Sequence, residues 1–120
     1  SYAPGKWTAN EILAHLADVE LAFAFRFRLI LGDDQPVLQP FDQDQWARRY
    51  FKSDAALAVG AYRSVRSWNL ALLTTLDLDD WLRQGYHPEH GLMSIDEMVR
   101  RLADHDLNHL AQLQRIAGEI

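Results

Sequence analysis

Two capping boxes, each opening a long apolar stripe, constrain this chain more than anything else in it. Thr8-Ala9-Asn10-Glu11 and Ser94-Ile95-Asp96-Glu97 each place a hydroxyl residue three positions before a glutamate. At that spacing the hydroxyl accepts from the third helical amide while the glutamate reaches back to the cap amide. After the first box, Ile12, Leu16, Val19, Phe23, Phe27 and Ile30 recur at steps of three and four. They make one apolar face of a helix running to about Leu31, where Gly32-Asp33-Asp34 stops it. After the second box, Ile95, Met98, Leu102, His105, His109, Gln112 or Leu113, and Ile116 do the same. That helix runs to about Ala117, with Gly118 as its stop. A third stripe lies between them, from Asp54 to Leu76, with Ser53 as the predicted cap. Its predicted inner positions are Leu57, Ala61, Val65, Trp68, Leu72 and Leu76, and small Gly60 and Ala61 would allow a close helix crossing. No strand pattern competes. The fold class is all-α, in a single domain over residues 1–120.

The connecting segments carry the turn chemistry. Pro4-Gly5 is a turn signal. Gln35 to Lys52, with Pro36 and Pro40, is long enough to be a crossover rather than a tight hairpin. Within it, Asp42 can cap a short helix reaching Tyr50, with Trp46 and Tyr50 on one side. Trp81 to Met93 reads as irregular, and the four tryptophans, Trp7, Trp46, Trp68 and Trp81, as core or rim packing.

Composition excludes several functions. The formal charge of −5, with no basic stripe, gives no electrostatic support for nucleic acid or an anionic membrane as partner. No apolar run is long enough to span a bilayer, and Ser1 to Lys6 has no signal-peptide pattern. The absence of cysteine removes disulfides, thiolate ligands and a protein thiol nucleophile. It fits a cytoplasmic location.

What remains is histidine chemistry. His105 and His109 stand four apart on the last stripe, and His15 lies on the inner side of the first helix beside Ile12 and Val19. Residues at i and i+4 share a helix face, about 5–6 Å apart at Cβ, so one helix can present two imidazoles to one ion. A third ligand must come from elsewhere, and His15 is the candidate. The expected ion is a divalent metal, zinc or nickel first, with iron or manganese as further options. Bound imidazoles need a partner at the second ring nitrogen. Asp18, Asn108 and Gln112 lie one turn after His15, His105 and His109. Asp18 is also the best candidate general base, because Glu20 should face away. His87 and His90 read as solvated loop histidines, and Arg26 as one half of an ion pair, though it could also meet an anionic substrate.

The entry Pro4-Gly5-Lys6-Trp7-Thr8, continuing as Glu11-Ile12-Leu13-Ala14-His15-Leu16-Ala17-Asp18-Val19-Glu20, resembles the DinB/YfiT-like superfamily, as does the closing His105, His109 and Gln112. The loop Tyr86-His87-Pro88-Glu89-His90-Gly91 is similar to many members. The resemblance implies an up-down-down-up four-helix bundle with a divalent metal on three histidines, carried here onto His15, His105 and His109. It also implies a helix upstream of the Pro4-Gly5 turn, so three long helices and a short one are expected. The apolar groove they leave would be covered by that helix or by a partner chain, with a homodimer as the candidate assembly. The implied activity is that of a metal-dependent enzyme on a small-molecule substrate, first an S-transferase using a low-molecular-weight thiol. The alternatives are a metal-dependent hydrolase and a non-catalytic metal-binding or association module.

Overall fold

The computed structural model describes residues 7–118; the Pro4-Gly5 turn lies outside them. Helix α1 (Ala9–Gly32) starts at Thr8, whose Oγ1 accepts from the Glu11 amide at 3.2 Å while Glu11 accepts from the Thr8 amide at 3.0 Å. The crossover contains α2 (Gln43–Ala47), capped by Asp42, and a single 3-10 turn, Tyr50–Lys52. Helix α3 (Ala55–Leu73) is capped by Asp54 rather than Ser53, because the carboxylate accepts from the amides of Ala56 and Leu57. Asp77 does not merely end a helix. It caps a further turn, α4 (Leu78–Trp81), in a capping box with Asp80. The second predicted box opens α5 (Ile95–Gly118), with the Glu97 amide donating to Ser94 Oγ at 3.1 Å.

The segment expected to be irregular is a hairpin. Strands β1 (Gln84–His87) and β2 (Gly91–Ser94) pair antiparallel, with Gln84 opposite Ser94 and His87 opposite Gly91. Gly91 takes a positive φ of 77°, which lets the three-residue loop close on the strand twist. The crossover adds to this small sheet: the Tyr86 amide donates to Pro36 O and the Leu38 amide to Tyr86 O, both at 2.8 Å. Arg83, just before the hairpin, donates to the carbonyls of Ile30 and Asp33, so a cation satisfies the carbonyl end of α1.

Directions follow from what each helix touches. Glu20 bonds Arg66, while further along both helices Arg28 bonds Asn69, so α1 and α3 run parallel. His15 meets His105 near the end of α5, whereas Phe27 and Ile30 pack with Ile95 and Met98 at its start, so α5 runs antiparallel to both. A parallel pair of helices needs the long crossover the sequence supplies. Helix α1 packs along both partners, while α3 and α5 barely touch. Between them lies an open groove of about 680 Å³, lined by Leu16, Val59, Tyr62, Leu107, Leu110 and Leu113.

The inner face of α3 departs in part from the predicted stripe: Leu72, and Leu76 just beyond the helix, pack on the core as expected. Ala58 and Asn69 are buried, whereas Leu57 is 74% and Trp68 69% exposed. Gly60 faces open space, so it marks no close crossing. The turned-in positions are polar because they meet a buried carboxylate. Glu20, expected to face outward, has no exposed surface. It accepts from Arg66 Nε and Nη2 at 3.0 and 2.9 Å and from Asn69 Nδ2 at 2.7 Å. Those bonds replace the hydration that a buried charge loses.

Gly85 is the position where the hairpin meets the core. A Cβ there would lie 2.8 Å from Leu38 Cδ2 and 3.1 Å from Ile30 Cγ1, and both side chains are fully buried. Overpacking of this kind costs about 1–3 kcal/mol. Gly85→Ala is therefore expected to lower the urea midpoint accordingly, whereas Gly60→Ala, facing solvent in mid-helix, is expected to raise it.

Candidate metal centre

The three histidines of the two terminal stripes meet. Ring centroids of His15 and His105 are 4.9 Å apart, His15 and His109 4.8 Å, and His105 and His109 4.5 Å. One nitrogen from each falls within 4.8 Å of the other two. Their meeting follows from the antiparallel course of α5, which brings its last turns beside the first turns of α1. His15 is 2% exposed, while His105 and His109 are half-buried, so approach is from the α5 side.

Two of the rings are held at their outer nitrogens. His105 Nδ1 lies 3.0 Å from Asp106 Oδ1, and His109 Nδ1 lies 3.0 Å from Gln112 Oε1. Only the N–H form of Nδ1 can donate to a carboxylate or an amide oxygen, which leaves both Nε2 lone pairs for the shared space. His15 Nε2 and His105 Nε2 are 2.8 Å apart. Two nitrogens sharing a tetrahedral zinc at about 2.0–2.1 Å stand roughly 3.3 Å from each other, so a small outward movement would admit an ion. The donor set also fits: three imidazoles, two with their tautomers fixed, suit a borderline divalent cation.

Trp7 makes one wall, edge-on to His15 at 4.6 Å and stacked on His109 at 6.0 Å. Burial, together with the positive fields His105 and His109 would exert, holds the His15 pKa down to about 3. Burial likewise lowers that of His109, although its bond to Gln112 acts the other way. Neutral rings are the form a metal needs.

Asp106 is the functional residue that sequence reasoning missed. Neighbours at i and i+1 do not face each other on a helix, so Asn108, one turn on, looked the better partner for His105. Asn108 is exposed, and Asp106 takes the role. Its Oδ2 accepts from Tyr62 at 2.9 Å and from the Arg66 guanidinium. Burial would raise its pKa, but the bonds from His105 and Tyr62 and the charge of Arg66 outweigh that and hold it below the usual range. Burial with the Asp106 bond pushes Tyr62 up to about 12.

The remaining candidates do not hold the three rings. Asp18 Oδ2 accepts from Tyr50 at 2.6 Å, and its hydrogen bond goes there rather than to His15. His87 is buried, not solvated. With Glu89 and His90 it forms a second group of donors within 4.8 Å of one another. Yet the Glu89 amide donates to His87 Nδ1 at 3.1 Å. The neutral ring then carries its proton on Nε2 and has no lone pair to spare for a cation while the turn holds. Arg26 makes no ion pair among the described residues.

Sign and window of a pH effect follow from His15. Its folded pKa is lowered, so between about pH 6.5 and 3 the unfolded chain binds a proton that the folded chain refuses. Stability of the metal-free protein is expected to be full above pH 6.5 and to fall as the pH drops through that window. Urea titrations at pH 7 and pH 5 measure it, and His15→Asn should flatten the dependence.

Comparison with known proteins gives the family. The sequence model of the DinB superfamily matches residues 1–113. A candidate metal-dependent hydrolase from Oceanobacillus iheyensis is 30% identical over 114 residues, covering 94% of this chain and 66% of its own. YfiT from Bacillus subtilis, described the same way, is 24% identical over 119 residues, covering 97% of this chain and 67% of its own. The chain thus spans about two thirds of the length of these relatives. The solved structure of YfiT, said to have an unusual four-helix bundle topology, superposes with a TM-score of 0.84 at 25% identity, over 98% of this chain and 70% of that one. A family model that runs from the first residue to beyond the closing histidine pair, on a bundle that superposes this well, decides the matter: the chain belongs to the DinB superfamily.

Proposed function

We propose that this chain is a metal-dependent hydrolase, with a divalent ion held by His15, His105 and His109. The observation that carries the reading is the convergence of three imidazoles, two of them fixed at Nδ1 so that Nε2 faces the shared space. The names of the relatives support hydrolysis over thiol transfer, since neither relative described above is named a transferase. A divalent ion held by these three imidazoles would supply a Lewis acid able to acidify water and polarise a carbonyl.

The chain's own groups do the rest. Asp106 and Gln112 hold the rings in their binding tautomers. Trp7 closes one side against water. Asp18, one turn beyond His15 and steadied by Tyr50, is the carboxylate we assign to accepting a proton from the attacking water. The donor set suits zinc or nickel, and the substrate is a small molecule entering from the α5 side. Among the described residues no helix is long and apolar enough to cross a membrane, and the reading places the protein in the cytoplasm.

Two experiments test this. Untagged protein should contain close to one equivalent of metal by elemental analysis, and His109→Ala should lose most of it together with any esterase or amidase activity. Metal-free native protein, or an unchanged content in His109→Ala, would overturn the assignment. Asp18→Asn is expected to keep the metal and lower kcat by about 10²–10⁴-fold; equal activity would remove Asp18 from the mechanism and leave the ion's role intact.

A further inference from the structure

A second feature lies where α1 meets the crossover. Leu21, Phe25 and Leu29 there, with Val37, Phe41 and Trp46 of the crossover, line a concavity of about 440 Å³. Leu21 is 56%, Phe25 65% and Val37 63% exposed, so the chain leaves a contiguous apolar surface in water, which marks a contact site more often than an accident of folding. The volume is that of a small-molecule pocket.

Arg26 sits in this apolar wall. Its guanidinium carbon lies 5.6 Å from the Phe23 ring centre and 5.2 Å from that of Phe41. One nitrogen, Nη2, donates to the Gln39 carbonyl at 2.8 Å. Nothing else holds it: among the described residues no carboxylate pairs with Arg26, although the chain carries 17 acidic residues. Arg66, also half-buried, pairs with two carboxylates. A cation drawn out of water against two aromatic faces, with most of its N–H groups unused, is an anion receptor. Burial lowers its pKa, in line with a charge short of a counterion.

We propose that this pocket binds a small monocarboxylic acid with an apolar body, its carboxylate on the Arg26 guanidinium and its hydrocarbon against Phe25, Val37 and Trp46. A single guanidinium neutralises one negative charge in the forked geometry a carboxylate fits, whereas a phosphate dianion would call for a second cation. Arg26 stands eleven residues beyond His15, about 16 Å along the helix. The pocket is therefore distinct from the histidine site and does not rest on the metal reading.

Octanoate and 1-octanol, titrated into the full chain by isothermal calorimetry, separate the possibilities. Octanoate should bind measurably tighter than octanol. Arg26→Gln should weaken octanoate at least tenfold and leave octanol unchanged, with Arg26→Lys in between. Phe25→Ser should weaken both ligands. Circular dichroism and metal content, unchanged in each variant, keep folding out of the comparison. Failure of octanoate to bind at millimolar concentration would overturn the proposal, as would an equal loss of both ligands in Arg26→Gln. So would sedimentation data in which this face is closed in a dimer that Phe25→Ser dissociates.

Discussion

One guanidinium joins the three long helices. Arg66 of α3 donates to Glu20 of α1 and to Asp106 of α5, two carboxylates that the bundle takes largely out of water. Taking a carboxylate out of water costs several kcal/mol per ion, and the shared guanidinium offsets that cost for both. Helices α3 and α5 have little backbone contact, so Arg66 and Tyr62, both bonded to Asp106, tie one to the other. A buried ion pair is weak evidence for stability, but it helps to specify geometry, beside the apolar packing of Ile95, Met98 and Leu102 on α1. The consequence reaches the site directly. Asp106 gives one oxygen to Arg66 and Tyr62 and the other to His105. The contact that helps to set helix register thus also sets the tautomer of an imidazole.

The histidine site inherits its character from that arrangement. Burial of His15 keeps it neutral well below the usual range, and Trp7 packs on both His15 and His109. Donors that would repel one another if protonated are held close together. Such a cluster is a poor base and a good set of ligands. The chain without cysteine has no thiolate to offer, and Asp106 serves as the partner of a ring rather than as a ligand in the shared space.

Much of this was legible in the sequence. Both capping boxes formed at their predicted residues, and Ile12, Phe27, Ile95 and Met98 are core because each lies on an uninterrupted 3.6-residue stripe. The three histidines could be grouped because two share a turn and the third lies on an inner face. Of the readings that failed, three show the physical reasons best. The α3 stripe was chosen by hydrophobicity, yet the buried charge on Glu20 selects Arg66 and Asn69 for the inside and leaves Leu57 and Trp68 in water. The hairpin escaped because its four-residue strands contain Gly85 and flank a proline, too short and too broken for a period of two to emerge. Asp106 escaped because its bond to His105 joins adjacent residues, a pairing that helix spacing argues against.

The central claim is that three imidazoles from two helices hold one ion. Anomalous diffraction from crystals of the protein, collected on either side of the absorption edge of the metal found in it, tests this most directly. The account predicts one dominant peak about 2.0–2.1 Å from a ring nitrogen of each of His15, His105 and His109. A peak on the hairpin histidines instead, or none while His15 and His105 remain hydrogen-bonded to each other, would contradict it.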